Sequence, residues 1–283
     1  MKMRRKLFGV GLLALGIAIA AIPASAQQRA AAEFEPQVGQ AGKDVIWVPT
    51  PLEVIDAMLT MTQTTPNDFV IDLGSGGGRT VIQAAKKYGA HALGIEYNPD
   101  MVALSNRSAQ KEGVTDKVKF MKADIFETDF SKATVITMYL LPDLNLKLRP
   151  KILDMKPGTR VASHQFTMGD WQPDAIANVD NRQALFWIVP AKVAGNWKLH
   201  ANGAGQDLDL AIKQTFQVID GSLKSATREL PLTATNLRAN QIGFSVIEGS
   251  VRRDYRGRVS GNTMEGTMRS GNGAEVKWQA TRR

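Results

Sequence analysis

The sequence contains no cysteine among its 283 residues. The chain therefore has no disulfide, no thiolate metal ligand and no cysteine nucleophile, and its fold must rest on ordinary hydrophobic cores. Hydrophobic residues make up 43% of the chain, which is enough to build such cores. The three histidines form no cluster with carboxylates at the spacing of a zinc site. We therefore expect no bound metal.

Long apolar runs are also scarce, apart from one near the start that extends from Leu7 to Ile22. Basic residues precede this run, and Ala24-Ser25-Ala26 follows it. This order is typical of a secretory signal peptide, so we predict a signal over residues 1–26, cleaved after Ala26. The mature protein would then be exported, either periplasmic or membrane-associated. An uncleaved membrane anchor is the alternative, because the run approaches the ~20 residues that span a bilayer.

Charge is distributed unevenly over the rest of the chain. Residues 27–190 carry 17 basic and 19 acidic residues, whereas residues 191–283 carry 14 basic and 8 acidic residues. This asymmetry indicates two modules with different surfaces, and the chain is long enough for both. Residues 27–44 are polar, rich in Ala and Gln and without periodicity, and we predict that they form a linker.

Short apolar runs alternate with amphipathic stretches between about Val45 and Trp171. The runs FVIDL, HALGIEY, VKFMKADIF, ATVITMYLL and TRVASHQF are predicted strands, and helices are predicted between them, the first ending at Gly89. This alternation predicts an α/β fold with a parallel, doubly wound sheet. We assign residues 45–190 to this domain, with QALFWIVP as an antiparallel edge strand. In such sheets ligands bind at the carboxyl ends of the strands.

The spacing of apolar runs changes near the end of this domain. Short runs, several of them alternating, are separated by Gly, Asn and Asp turns over residues 191–283 and predict a small antiparallel all-β barrel or curled sheet. The opening VAGNWKL resembles the start of lipocalin-like barrels. A dense basic cluster, RRDYRGR at Arg252–Arg258, could hold anionic ligands or contact a membrane surface. The alternative is that these charges are the solvated faces of a twisted hairpin.

The stretch DFVIDLGSGGGRT, residues 68–80, joins a predicted strand to a predicted helix through glycines. Bare backbone before a helix lets a ligand approach closely. A P-loop is excluded because no Lys-Ser/Thr pair follows, and a dinucleotide fingerprint lacks its third glycine. The remaining pattern is D-x-G-x-G-x-G, with Asp72, Gly74, Gly76 and Gly78. A turn of purely structural purpose is the alternative.

This pattern resembles the first motif of the class I methyltransferases, the seven-strand, Rossmann-like enzymes that use S-adenosylmethionine (SAM). SAM has no pyrophosphate, and its cationic amino group and sulfonium would attract the carboxylate of Asp72. Glu96 follows the second strand, 22 residues after Gly74, where Rossmann-like folds place an acid on the ribose hydroxyls. Asp124 follows the third strand, where the side chain in this family usually meets the adenine amino group. The resemblance implies an enzyme with SAM as its cofactor.

Two flanking stretches resemble a narrower group, the protein-lysine methyltransferases that include the mitochondrial enzyme acting on the c-subunit of ATP synthase. WVPTPLEVIDAML, residues 47–59, precedes the first strand, and FTMGDWQPD, residues 166–174, follows the fifth. The group has a similar Val-Pro-Ser/Thr segment, which implies a cofactor contact for Thr50. Methylation of a protein lysine is the function implied. The alternatives are an exported SAM-fold binding or sensing module and a small-molecule methyltransferase whose β domain binds an envelope ligand.

Acceptor-side residues are expected after the fourth strand, where this class places them. In ITMYLLPDLN, Tyr139 could line the acceptor slot with Pro142 nearby, and Asp143 could attract a cationic acceptor. His164, in ASHQF, is a candidate base, with a structural histidine as the alternative.

Absent motifs narrow the range of acceptors. No Asp/Asn-Pro-Pro-Tyr/Phe motif follows the fourth strand, which argues against the amino groups of adenine and glutamine. The lack of cysteine excludes C5 methylation of cytosine through a covalent adduct. We therefore expect a protein substrate, which could be membrane-associated, or a small molecule. Nucleic acid is a poor partner for an exported protein, and we expect none.

Overall fold

The computed structural model describes residues 34–202 and 207–283. The predicted signal peptide, residues 1–26, and the first part of the predicted linker lie outside the described residues. In the part of the chain that is described, no helix combines the length and the apolar character that a membrane crossing requires.

Four helices of 10 to 13 residues surround the first sheet. They are α1 (Leu52–Met61), α2 (Arg79–Tyr88), α3 (Pro99–Lys111) and α4 (Pro142–Leu153). Helix α2 starts after Gly78 and ends at Gly89, at φ +80° and +72°, a left-handed conformation that glycine adopts without strain. Helix α3 begins at Pro99, and the Asn98 side chain accepts a hydrogen bond from the Asp100 amide at 2.8 Å. The predicted helix end at Gly89 is confirmed.

Seven strands form the first sheet in the order β3-β2-β1-β4-β5-β7-β6. They are β1 (Phe69–Leu73), β2 (His91–Glu96), β3 (Val118–Lys122), β4 (Val135–Met138), β5 (Arg160–His164), β6 (Ala175–Val179) and β7 (Arg182–Ile188). Strands β1 to β5 are parallel. Neighbouring residues of β1 face opposite sides of the sheet: Val70 belongs to the same buried cluster as Val81, and Ile71 belongs to the cluster of Leu148. The predicted doubly wound sheet is confirmed.

The prediction that QALFWIVP forms the edge strand is wrong. Its residues form β7, which pairs antiparallel with both β5 and β6 and is buried along its centre. The edge strand is β6, for which we predicted no strand. None of its residues is fully buried, so its sequence lacks the apolar run that marks the inner strands.

Nine antiparallel strands form the second sheet, in the order β11-β10-β9-β8-β16-β15-β14-β13-β12. They are β8 (Gly195–Ala201), β9 (Leu208–Thr215), β10 (Val218–Lys224), β11 (Glu229–Pro231), β12 (Thr233–Arg238), β13 (Gln241–Glu248), β14 (Val251–Ser260), β15 (Thr263–Ser270) and β16 (Val276–Arg282). The Leu232 amide donates to the Gly221 carbonyl at 2.9 Å, which brings the two ends of the sheet together. The sheet is therefore a nearly closed barrel, as predicted.

Side chains fill the interior of this barrel. Phe244 stacks on Tyr255 at a centroid distance of 4.8 Å, and Trp278 meets both rings edge-on at about 6 Å. At one end the guanidinium of Arg282 lies 4.3 Å from the ring centroid of Trp197, which belongs to the lipocalin-like stretch. The charged residues of the barrel are mostly exposed, because alternate residues on each strand face outward.

The barrel touches the first sheet through the turn between β9 and β10. Phe216 stacks on Trp171 at a centroid distance of 5.9 Å, and the Gln217 side chain donates to the Gln172 carbonyl at 2.9 Å. Arg149 of α4 also lies beside this stack, with its guanidinium 5.2 Å from the centroid of the Phe216 ring. The first sheet ends at Ile188 and the second begins after it, but the independence of two domains divided at residues 190 and 191 stays a prediction.

Candidate active site

The glycine loop lies at the carboxyl end of β1 and leads into α2. Gly74, Gly76 and Gly78 have φ values of +75°, +51° and +80°, which residues with a Cβ rarely adopt. A Cβ on Gly76 would lie 2.8 Å from the indole nitrogen of Trp47, and one on Gly78 would lie 2.6 Å from the Phe120 ring. The loop therefore requires glycine both for its conformation and for the close approach of its neighbours.

Asp72 is the next-to-last residue of β1, where it is buried and lines the cavity beside the loop. It accepts a hydrogen bond from the Thr137 hydroxyl at 2.6 Å. Burial raises its pKa to about 7, and the charge of Glu96 adds to this effect. An ionised carboxylate in this place is stabilised by a cation brought by a ligand, such as the amino group or sulfonium of SAM.

Glu96 ends β2 and holds the glycine loop in place. Its two carboxylate oxygens accept hydrogen bonds from the amides of Gly76 at 2.8 Å and Asn98 at 2.9 Å. Each oxygen keeps a second lone pair, so the same carboxylate can accept from two ribose hydroxyls. The structure therefore places Glu96 where the resemblance puts a ribose-binding acid.

Asp124 follows β3 and is engaged on both oxygens. One accepts from the Phe126 amide at 2.8 Å, and the other forms an ion pair with Lys43. The Lys43 hydrogen bond, followed by the Phe126 amide, holds the pKa of Asp124 below its usual value. A ligand amino group that binds Asp124 must share this carboxylate with Lys43 or displace it.

A hairpin over residues 39–47 covers the cavity and carries Lys43. The Gly39 amide donates to the Trp47 carbonyl at 2.9 Å, and the Trp47 amide donates to the Gln40 carbonyl at 2.8 Å. The Lys43 ammonium also lies 4.6 Å from the ring centroid of Tyr97. Part of the predicted linker is thus a wall of the site, which we did not foresee because the segment has no apolar periodicity.

The cavity has a volume of about 300 Å³, which suits the binding of a small ligand. Several of the predicted site residues line it: Thr50, Asp72, Gly74, Gly76, Glu96, Asp124 and Tyr139. Gly78, Asp143 and His164 do not; Gly78 acts through the backbone turn before α2. Ser75, which we did not predict, also lines the cavity, and its buried hydroxyl has no hydrogen-bond partner among the described residues.

This lining fits SAM. Asp72, Glu96 and Asp124 stand at the ends of β1, β2 and β3, which are adjacent in the sheet, so their carboxylates form a row along one side of the cavity. The glycine loop brings bare backbone to the edge of the cavity. No group of three or more His, Cys, Asp or Glu side chains suited to a metal occurs within residues 34–202 and 207–283.

The acceptor side is formed by aromatic rings. Tyr139 directly follows β4, and its ring centroid lies 5.9 Å from that of Phe166 and 3.8 Å from that of His164. Asp143 is exposed in the first turn of α4, beside the exposed Pro142. His164 is fully buried, and burial followed by the charge of Arg182 lowers its pKa to about 4. This geometry does not support His164 as a base, because it is out of reach of a substrate in the cavity.

Comparisons with known proteins agree with this geometry. The model of the ANTKMT methyltransferase domain matches residues 72–175. A protein-lysine N-methyltransferase of Saccharolobus islandicus is 40% identical over 139 residues, which are 48% of this chain and 86% of that protein. The human lysine N-methyltransferase of the ATP synthase c-subunit is 34% identical over 131 residues, 46% of this chain and 55% of that protein. The chain thus spans about half the length of the human relative.

A crystal structure of an RNA methyltransferase from Salinibacter ruber, in complex with S-adenosyl-L-homocysteine, shares the fold of the first sheet. It is 45% identical, has a TM-score of 0.51 and covers 52% of this chain and 96% of its own. The match to the ANTKMT domain ends at residue 175, before the barrel begins.

Proposed function

The chain belongs to the SAM-dependent methyltransferase family of these relatives, and we propose that it methylates the side-chain amine of a lysine in a protein. The observation that carries this proposal is the 40% identity to a protein-lysine N-methyltransferase over 86% of that protein's length. SAM is the cofactor, as the acidic lining of the cavity and the complex of the Salinibacter ruber relative both support.

Bound SAM supplies an electrophilic methyl group whose leaving group is already good. The protein therefore contributes mainly positioning and exclusion of water. Glu96 and Asp124 hold the adenosine end, and the glycine loop passes along the rest of the cofactor. Asp72 binds the positive charge of the methionine end in its ionised form.

The acceptor amine must lose its proton before it can attack. Tyr139 and Phe166 form an aromatic wall at the acceptor side of the cavity, with Leu144 beside them. An ammonium group that enters such a wall loses hydration, which lowers its pKa and favours the neutral amine. The exposed carboxylate of Asp143 stands outside this wall, where it attracts the lysine while it is still charged.

The rim of the cavity favours an apolar partner. Ile46, Tyr97 and Leu141 line the cavity and are 62%, 50% and 45% exposed. Exposed apolar residues grouped around one opening are typical of an interaction site. We therefore favour a lysine in an apolar protein segment, such as one at a membrane surface.

The test is methylation by the purified full-length chain. The protein is incubated with labelled SAM and, in separate reactions, with membrane extract, soluble extract and total RNA from the native cells. The Gly76→Val variant serves as the inactive control. We expect label on lysine residues identified by mass spectrometry, mainly in the membrane extract. Label in RNA alone, or tight SAM binding with no labelled product, contradicts the proposal.

We also propose that the mature protein starts near Gln27 and acts beyond the cytoplasmic membrane, on the basis of the N-terminal sequence pattern. Fractionation and N-terminal sequencing of the native protein test this. A protein that starts at Met1 and is shielded from protease added outside the cytoplasmic membrane contradicts it.

A further inference from the structure

Three polar side chains connect the far side of the first sheet to the cavity. The Nδ1 atom of His164 lies 3.1 Å from the Thr50 hydroxyl, and its Nε2 atom lies 3.4 Å from a guanidinium nitrogen of Arg182. Thr50 lines the cavity, His164 is fully buried at the end of β5, and Arg182 begins β7.

The chemistry of Arg182 determines which nitrogen of His164 carries the proton. A guanidinium has donors only, so Nε2 of His164 must accept. The ring is neutral, because burial and the positive charge of Arg182 both oppose a second proton. The single ring proton therefore resides on Nδ1, and Nδ1 donates to the Thr50 oxygen.

This tautomer makes the Thr50 hydroxyl a hydrogen-bond donor toward its other neighbours. Its oxygen accepts from His164, so its own proton is left to be donated elsewhere. Within residues 34–202 and 207–283, no acceptor for this proton is found among protein groups, and Thr50 borders the cavity. Contact between the rings of Tyr139 and His164, with centroids 3.8 Å apart, keeps the imidazole in this orientation.

The position of Thr50 identifies the part of the cofactor it meets. The acids for ribose and adenine end β2 and β3, whereas Thr50 contacts the end of β5, on the other side of β1 in the sheet. The methionine end of SAM points away from its adenosine. Its amino group and sulfonium are cations, so its carboxylate is the acceptor that this end offers to a hydroxyl donor.

We propose that the Thr50 hydroxyl donates to the methionine carboxylate of SAM, and that His164 and Arg182 are positioning residues that hold Thr50 as a donor. The proposal rests on the SAM-dependent activity and not on the identity of the methyl acceptor. Its test therefore uses binding alone, without any acceptor, and stays informative even if the substrate is not a protein lysine.

The first measurement is calorimetry with two probes, SAM and decarboxylated SAM, which lacks only the carboxylate. Thr50→Val removes the hydroxyl with little change in shape, and Thr50→Ser keeps it as the matched control. We expect Thr50→Val to weaken SAM binding by roughly 10- to 100-fold, the loss typical of a hydrogen bond to a charged group. Decarboxylated SAM should bind both variants and the native protein within about twofold, since it lacks the group that we propose Thr50 binds.

The second measurement separates positioning from packing. His164→Phe keeps a ring but loses the Nδ1 donor, and His164→Asn restores an amide donor near the same place. We expect His164→Phe to weaken the binding of SAM and not of decarboxylated SAM, with partial recovery in His164→Asn. Arg182→Met should act in the same direction as His164→Phe, but more weakly. Equal losses for both probes, or no loss for SAM in Thr50→Val with thermal stability retained, overturn the proposal.

Discussion

Carboxylates have different roles in the two sheets of this protein. In the first sheet, three carboxylates stand at the open ends of parallel strands, and burial raises the pKa of one of them, Asp72, to about 7. In the barrel, Asp254 lies on the outer face, where hydrogen bonds from Ser245 and Arg252 hold its pKa below the usual value. A sheet with free strand ends can direct charged side chains into a cavity, whereas a nearly closed barrel with a packed interior leaves them on its surface.

Glycine shows the same contrast. Gly76 in the first sheet and Gly271 in the barrel share a φ of +51°. A Cβ on Gly76 would collide with Trp47 beside the cofactor cavity, whereas nothing lies within 4 Å of one on Gly271. The same backbone conformation therefore serves ligand approach in one region and only a turn in the other.

The largest expected effect comes from Gly76→Val. The added side chain strains the backbone and occupies the space beside Trp47, so we expect no measurable SAM binding by calorimetry. Gly271→Val imposes the same backbone strain in the barrel and should bind SAM normally. Loss of binding in both variants, or in neither, would show that the contrast between the two glycines is not functional.

Next in size is Glu96→Ala. This variant loses the acceptor for two backbone amides and for the ribose, and we expect SAM binding to weaken by about 1.5–3 kcal/mol. The matched control is Glu265→Ala, which removes an exposed carboxylate from the outer face of the barrel. Calorimetry should find no change there. Equal affinities for the native protein and Glu96→Ala would remove Glu96 from the site.

A smaller effect concerns pH. Asp72 must ionise to pair with the cationic end of SAM, and with a pKa of about 7 its ionised fraction rises about tenfold between pH 6 and pH 8. SAM affinity should rise by a similar factor over this range. Asp72→Asn should bind weakly and without this dependence, whereas Asp254→Asn in the barrel should keep the native profile. A flat native profile would contradict the role of Asp72.

The stability of the protein without SAM should respond to the same two carboxyls in opposite directions. The pKa of Asp72 is raised on folding. Its contribution to the free energy of unfolding is therefore fully present below pH 3.8, the ordinary pKa of the group, and is lost as pH rises through about 7. The pKa of Asp254 is lowered on folding. Its contribution to the free energy of unfolding is therefore present above the ordinary pKa of the group and is lost as pH falls below it. The test is to measure the melting temperatures of the native protein, Asp72→Asn and Asp254→Asn as a function of pH.

The smallest expected effect on cofactor binding comes from the contact between the two regions. Phe216→Ala removes the ring that stacks on Trp171, and the acceptor-side residue Phe166 lies in the same segment as that tryptophan. We expect SAM affinity to stay within about twofold, because every predicted cofactor residue lies in the first region. The KM for the methyl acceptor should rise. The control Val218→Ala changes an exposed residue directly after the same turn. A large loss of SAM affinity in Phe216→Ala would show that the barrel completes the cofactor site.

Much of the site could be predicted because its signals are local. A strand, a glycine turn and a helix follow one another over residues 68–80, and the acids stand directly after their strands. Strand alternation likewise predicted the antiparallel barrel. The order of β5, β7 and β6 at one edge of the first sheet could not be predicted in this way. The apolar run of β7 indicates that the strand is buried, but it does not indicate which strands pair with it.

Local patterns in the sequence were enough to predict the glycine loop, an acid after each of the first three strands, and the division into an α/β sheet and an all-β sheet. They could not predict that Lys43 reaches Asp124, 81 residues away, or that His164 contacts Thr50, 114 residues away. Backbone conformation depends on neighbouring residues, whose pattern can be read along the chain. Contacts between distant residues depend instead on how helices, strands and loops pack, and many pairs of polar residues could satisfy the same local pattern.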